Sequence, residues 1–341
     1  MLQQPDAVTA PLPEAAAADD AGSPSVPLRG GWRIIAAKEL TDHLHSLRFV
    51  LLTIGLGLAA VASVVATSGG IRDLAPAASG SPAIFLKLFT LGSNNLWPLI
   101  QWIAFLGPLL GIAFGFDAIN NERAERTLPR LLSQPIWRDD VINGKFAGAL
   151  TAIALSLAAI VIVIAGVGIF RLGVVPKPED LVRLAVWYGI AVIYVGFWLA
   201  LATLFSVVLR RAAASALAAL SIWLIAALFS TFLVGIIADA VAPLTASPTF
   251  EEQVANVTMH QDLARLVPEE IFMEATQAIL DPSVRASGVV LATQVDRAIP
   301  STLSFDQSLL VVWPQVVVLI ALTVACFALA YMAFMRQEVR A

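Results

Sequence analysis

Six long apolar runs constrain this chain more than any other feature. They lie at about 49–67, 96–116, 142–170, 184–209, 213–238 and 308–335. The hydrocarbon core of a bilayer is about 30 Å thick, and a helix needs roughly 20 apolar residues to cross it. No backbone group can go without a partner there, so each run is expected to be a helix that satisfies its own N–H and C=O groups. Composition agrees: 58% of residues are hydrophobic and only 13% charged, about half the roughly 25% of a globular protein. The fold class expected is an all-α integral membrane protein with six transmembrane helices. The net charge of −4 comes with no basic run suited to nucleic acid, so no nucleic-acid partner is expected. The single cysteine, Cys326, falls inside the last run and permits no intramolecular disulfide.

The rest of the chain divides around these spans. Residues 1–28 are rich in Ala and Pro and carry scattered acids, the composition of a disordered tail. The acids Asp6, Glu14, Asp19 and Asp20 before the first run argue against a cleaved signal, so span 1 is expected to be an uncleaved anchor. Residues 29–48 place Trp32, Ala36, Leu40, Leu44 and Leu47 on one helical stripe. This predicts an amphipathic helix in the membrane interface, an elbow before the first span. His43 and His45 are two apart on that helix and point to different sides, so they make no metal pair. Span 2 carries Gly107, Gly111 and Gly115 at four-residue intervals, which lets a neighbouring helix approach closely. Pro108 in the same span predicts a kink. The turn at Arg210 and Arg211 is so short that spans 4 and 5 are expected to be antiparallel neighbours. Residues 239–307 form an acidic segment outside the six runs. Within it, Pro268, Glu269 and Glu270 read as a helix start and Asp281-Pro282 as its stop, with Ile271, Phe272, Ala275 and Ile279 on one apolar face. This predicts a small helical cap before the last span.

Between spans 2 and 3 lies the one dense block of charge: Glu122, Arg123, Glu125, Arg126, Arg130, Arg138, Asp139, Asp140 and Lys145. A single charge at the bilayer centre costs roughly 2.5–3.5 kcal/mol even on the lenient insertion scale, so the block must lie in water. It is not a slack tether. Glu122 and Arg126 sit one helical turn apart in the favourable order. Pro129 breaks the helix, and Leu128, Leu131, Leu132 and Ile136 give the segment an apolar face that asks for a docking partner.

At these residues the chain resembles the membrane-spanning permease subunits of ABC transporters of the type 2 family. The family pattern runs Glu-x-x-x-Gly-Thr-Leu, Leu-Leu-Ser-x-Pro-(Ile/Val)-Ser-Arg and then Gly-Lys. Here it reads Glu122 to Thr127-Leu128, Leu131-Leu132-Ser133-Gln134-Pro135-Ile136, Arg138 and Gly144-Lys145. Arg126 stands where the family has Gly, and Trp137 where it has Ser, although Asp139 and Asp140 still complement the helix dipole. The resemblance implies that residues 117–141 form a cytoplasmic coupling segment resting on a separately encoded ATPase. Its contact would be made by Glu122, Arg126, Thr127, Leu128, Arg130, Leu131, Leu132, Ser133, Pro135, Ile136 and Arg138. It implies a dimer with a second permease copy or a homologue, usually an exporter, with spans 1, 2 and 5 bordering the pathway. Trp223, Phe229 and Phe232 of span 5 are then candidates to line it.

The chain itself offers no place for ATP. Gly144-Lys145 is followed by Phe146 where a phosphate-binding loop needs Ser or Thr, and Asp139 occupies the position of the leading Gly. The longest segment outside the spans, about 69 residues, is short for a nucleotide-binding domain. No cofactor or metal is therefore expected on this chain; ATP and Mg would be used by the partner subunit. Enzyme motifs such as His-Glu-x-x-His or Gly-x-Ser-x-Gly are missing from the sequence. Arg29, Arg33, Lys38, Arg48, the bases of the coupling segment, Arg210, Arg211, Arg336 and Arg340 fall on one side of a six-span topology. Only Arg72, Lys87, Arg171, Lys177 and Arg183 fall in the short connections on the other. The positive-inside rule then expects both termini in the cytoplasm of an inner-membrane protein and the 239–307 segment outside. Two other functions fit the spans less well: a non-transporting scaffold whose cap binds a partner, and a secondary carrier. Neither needs a charged docking segment between spans 2 and 3, and a carrier would normally keep an ionisable residue inside a span.

Overall fold

The computed structural model describes residues 30–77, 84–93, 96–124, 137–245, 247–281 and 303–337. The described elements are helical apart from one isolated bridge between Ser93 and Leu96. In chain order they are α1 (Gly31–Leu44), α2 (Leu47–Ala77), α3 (Ile84–Thr90), α4 (Leu99–Gly115), α5 (Asn120–Ala124), α6 (Arg138–Leu172) and α7 (Pro178–Val208). There follow α8 (Ala212–Leu224), a π-helical turn (Ile225–Phe229), α9 (Ser230–Val241), α10 (Phe250–Ala264), α11 (Pro268–Leu280) and α12 (Phe305–Arg336). Six helical stretches among them are long and apolar enough to cross a membrane, counting α4 with α5 (Leu99–Ala124) as one and α8, the π turn and α9 as another.

Several helices outrun the apolar stretches that foretell them, because their ends are set by capping groups. At the start of α12 the Ser304 hydroxyl accepts from the Gln307 N–H, and the Gln307 side chain accepts from the Ser304 N–H at 3.1 Å. At the start of α7, Pro178 occupies the first turn and the Asp180 carboxylate accepts from the Lys177 N–H at 2.9 Å. This closes orphan donors that the helix cannot satisfy itself. Gly173, at φ +68°, stops α6 in the left-handed conformation that only glycine adopts without cost.

Helix α7 is the axis of the bundle. It buries Trp187, Tyr194 and Trp198 between α4, α6, α11 and α12. The glycines of α4 lie along it. A Cβ added at Gly107 would stand 2.9 Å from Val195 Cγ2, at Gly111 2.6 Å from the Val195 carbonyl, and at Gly115 2.7 Å from Ala202 Cβ. The contacts advance together in both helices, so α4 and α7 run parallel at backbone-to-backbone distance. Helix α4 continues through Pro108. Span 5 is the opposite case. It sits at the edge of the bundle with most of its large side chains exposed, Leu217, Leu228, Phe232 and Ile236 among them.

Helix α1 lies against α6 at a pair of glycines. Gly144 faces Ile35 and the Trp32 carbonyl, and Gly148 faces the Ala36 carbonyl and Glu39. Ile35 is buried, while Trp32 and Leu47 remain exposed, because the close approach is dictated by the glycine groove of α6.

The segment before α12 folds back among the spans. Helix α10 runs down along α9: the Asn256 amide donates to Asp239 at 3.0 Å and to the Ala242 carbonyl at 2.8 Å, and His260 meets Asp239 at 3.0 Å. Helix α11 then rises antiparallel to α7. Phe272 stacks on Tyr194 with ring centres 4.5 Å apart, the Trp187 indole donates to Thr276 at 3.1 Å, and Arg183 donates to the Ile279 carbonyl at 3.0 Å. Tyr194 is sixteen residues beyond Pro178, about 24 Å along the helix at 1.5 Å per residue. The start of α11 is therefore level with the middle of α7, and α10 and α11 form a re-entrant hairpin. Arg183, only 1% exposed, fixes its far end. It also donates to Ser308 and to the Leu303 carbonyl, and pairs with Glu179 at 2.8 Å. Lys87 of α3 pairs with Asp281 at 2.8 Å.

Candidate functional site: the roots of the segment between spans 2 and 3

Of the residues expected to make the ATPase contact, Arg126, Thr127, Leu128, Arg130, Leu131, Leu132, Ser133, Pro135 and Ile136 lie outside the described residues. Glu122, Arg138 and the two roots of the segment are described. Each root is pinned to several helices.

The first root is α5. Its approach from α4 is a tight turn whose donors need partners, and the Ser206 hydroxyl at the end of α7 accepts from the N–H groups of Ile119 and Asn120 at 3.0 and 3.2 Å. Lys145 of α6 then binds Glu122 of α5 at 2.9 Å and Glu39 of α1 at 2.8 Å. Its side chain is 7% exposed and the two carboxylates 15% and 13%. One ammonium thus joins three helices in a setting where the charges are poorly hydrated and each depends on the others. On the neighbouring turn, Arg123 donates to the Val207 carbonyl at 3.0 Å and to Gln337, which itself donates to the same carbonyl at 2.8 Å.

The second root is the start of α6. Trp137 gives no side-chain cap, and Asp139 and Asp140 occupy the first turn, where carboxylates complement the exposed N–H groups. Arg138 reaches the end of α12: it donates to the carbonyls of Phe334 at 2.9 Å and Gln337 at 2.5 Å and lies over the Phe334 ring. The loop 125–136 is therefore tied at one end to α1, α6 and α7 and at the other to α12. The described start and end of the chain, α1 and the close of α12, meet at this same end of the bundle.

Beside the first root is a cavity of about 510 Å³ between α1, the start of α2 and the end of α4. Lys38, Glu39, Asp42, His43, Arg48, Asp117, Glu122 and Lys145 line it. The charges are largely matched: Arg48 meets Asp117 at 2.6 Å, and Lys38 meets Asp42 at 2.8 Å. The bond to Asp42 raises the Lys38 pKa above that of a free lysine. Burial lowers that of His43, against the pull of Glu39 and Asp117, and its ring packs 4.7 Å from Phe114.

The remaining candidates are scattered. Gly107, Gly111 and Gly115 meet α7 as described. Trp223 packs on Phe105 at 5.2 Å, within a group that includes Trp97 and Trp102. Phe229 and Phe232 are 50% and 65% exposed on the outer side of span 5 and join no such group. Sequence reasoning did not single out Glu39, Gly148, Ser206 or Arg183. A small-xxx-small spacing marks Gly144 and Gly148, but no local pattern marks Ser206 or Glu39, whose partners are 86 and 106 residues away.

Comparison with known proteins bears on the whole chain. Residues 33–339 match the family described as ABC-2 family transporter protein. Over 123 residues the chain is 32% identical to the probable ABC transporter permease protein NosY of Stutzerimonas stutzeri, covering 36% of this chain and 40% of that relative. The alignment thus spans less than half of either. The match to the family model covers most of the chain, including every described helix apart from the first two residues of α1: this protein is a membrane-spanning permease of the ABC-2 transporter family.

Proposed function

We propose that this chain is the permease subunit of an ATP-driven exporter. It pairs with a second copy or a homologue and is driven by separately encoded ATPase subunits, which bind the ATP and Mg. The chain hydrolyses no nucleotide itself. Residues 117–141 are the seat of the ATPase, with Leu128, Leu131, Leu132 and Ile136 as its apolar surface and Glu122, Arg126 and Arg130 setting the register. The observation that carries this reading is the anchoring of both roots of the loop. A push on the loop is delivered through Lys145 to α1 and α6, through Arg123 and Ser206 to the end of α7, and through Arg138 to the end of α12. A solvated connector has no use for ties to so many helices. The termini and the loop are cytoplasmic, in keeping with the basic residues at that end, and the α10–α11 hairpin enters from the other side.

The test is co-purification. Leu131→Asp together with Leu132→Asp should abolish capture of the ATPase subunit while leaving the permease in the membrane; intact association and transport would overturn the assignment. Reporter fusions near Arg130 and Glu270 should fall on opposite sides of the membrane, and finding them on the same side would defeat the topology.

A further inference from the structure

At the same end of the bundle as the charged loop, a cavity of about 580 Å³ opens between α5, the turn from α7 to α8 and the close of α12. It is lined by Arg123, Val207, Val208, Arg210 and Gln337. Among the described residues the charges in this lining are two guanidiniums, both of one sign. Arg123 is half-buried and gives its N–H groups to neutral oxygens. These are the Val207 carbonyl at 3.0 Å, Gln337 Oε1, and, at 3.5 Å, the Leu209 carbonyl and Asn120 Oδ1. Such bonds satisfy the donors and leave the charge standing. Arg210 is exposed in the turn and makes no hydrogen bond or ion pair among the described residues. Its charge is felt at Arg123. The acid beside Arg123 in the chain, Glu122, is held by Lys145 at 2.9 Å. The cavity beside the first root is different, for there acids and bases face one another. Here two like charges repel across one opening, and an anion between them removes that cost.

The level of the cavity decides which anion. Helix α7 has 31 residues, about 46 Å at 1.5 Å per residue, against about 40–45 Å for a bilayer with its head groups. Its close at Val208 therefore lies among head groups. Val208 is 55% exposed, and span 5, which starts two residues past Arg210, runs along the edge of the bundle. The inner wall of the cavity is thus cationic, while its rim is apolar and open to the bilayer. Basic pockets between spans suit the head groups of anionic lipids. We propose that this cavity holds the head of an anionic phospholipid, its phosphate between Arg123 and Arg210 and its acyl chains leaving past Val208. A phosphate with its glycerol amounts to about ten water-sized groups, roughly 300 Å³, which the volume takes. The site needs a bilayer and no ATPase, so it goes beyond the transport reading and does not depend on it.

The experiment titrates the purified full-length chain, in detergent micelles, with dioleoyl phosphatidylglycerol. Native mass spectrometry counts the bound lipids, and amide hydrogen exchange of peptides covering 119–124 and 205–212 locates them. One phosphatidylglycerol should bind ahead of the rest and slow exchange in both peptides; dioleoyl phosphatidylcholine, with the same chains and no net charge, should not. Arg210→Gln should weaken this first site about fivefold, the worth of one basic residue beside lipid phosphate. Arg210 is exposed and holds no other described group, so its loss spares the fold. Adding Arg123→Gln should weaken the site about fivefold again. Arg210→Lys should keep most of the affinity, and so should Arg33→Gln, which removes an exposed base from α1. Equal binding of phosphatidylcholine, or an equal loss in Arg33→Gln, would overturn the site as general attraction of charge. The same protection from inorganic phosphate would assign the pair to a free anion. Lipid binding that emerges only in Glu338→Gln would show that the chain's own carboxylate holds it. Loss of ATPase capture in Arg210→Gln, with lipid binding unchanged, would give the pair to that partner. Each of these results overturns the proposal. Because the ATPase is absent from the titration, failure here leaves the transport reading untouched, and failure of the Leu131 and Leu132 variant in co-purification leaves this one untouched.

Discussion

Removing the Lys145 ammonium should do more damage than removing any surface charge on this protein. Lys145→Met keeps the aliphatic stem and deletes a charge held 2.8 Å from Glu39 and 2.9 Å from Glu122. Breaking one side of a buried ionic set costs about 3–5 kcal/mol, because it leaves uncompensated charge in a poorly hydrated place. The low end applies here. The two carboxylates keep 13% and 15% of their exposure, and Glu39 retains Lys38 at 3.6 Å, a solvent-exposed contact worth at most about 1 kcal/mol. The expected loss is therefore about 3 kcal/mol. It should be largely recovered in the triple variant Lys145→Met, Glu39→Gln, Glu122→Gln, since replacing a whole buried ionic set by neutral groups is often close to neutral. Reversible unfolding in mixed micelles measures the energies, and amide hydrogen exchange shows whether α1 and α5 loosen first, as local unfolding would require. If Lys145→Met costs no more than Lys38→Met, or if the triple variant is no better than the single one, the three-helix tie is not what holds the first root of the loop.

Gly111→Ala places a methyl group 2.6 Å from the Val195 carbonyl and 2.9 Å from the Leu199 nitrogen. Backbone atoms cannot step aside as a side chain can, so a loss of about 1–3 kcal/mol is expected by the same unfolding assay. Arg183→Met should free the hairpin, leaving the Ile279 and Leu303 carbonyls and the Ser308 hydroxyl without their shared donor. Limited proteolysis should then cut between α11 and α12 several times faster than in the parent.

The sequence alone determined the class of this protein and the number of its crossings. An apolar run of 20 residues has one stable form in hydrocarbon, and a dense charge block can lie only in water. Those are local constraints, legible without any partner. The α4 glycines announced a close approach but not to which helix: their seat is the α7 backbone from Val195 to Thr203, which no spacing within α4 encodes. Only the tertiary structure decided that the helix beginning at Pro268 enters the bundle. Its 13 residues are too few to cross a bilayer, and the acids Glu269 and Glu270 read as a solvated start. Burial depth is set by what Phe272, Thr276 and Ile279 meet on α7, and those partners are more than 75 residues away in the chain. The same holds for the roots of the charged loop. The sequence marks Glu122, Arg138 and Lys145 as charges near water; only the packing of α1 and α12 against α6 and α7 turns them into ties, because an ion pair has energy only when folding brings its two halves together.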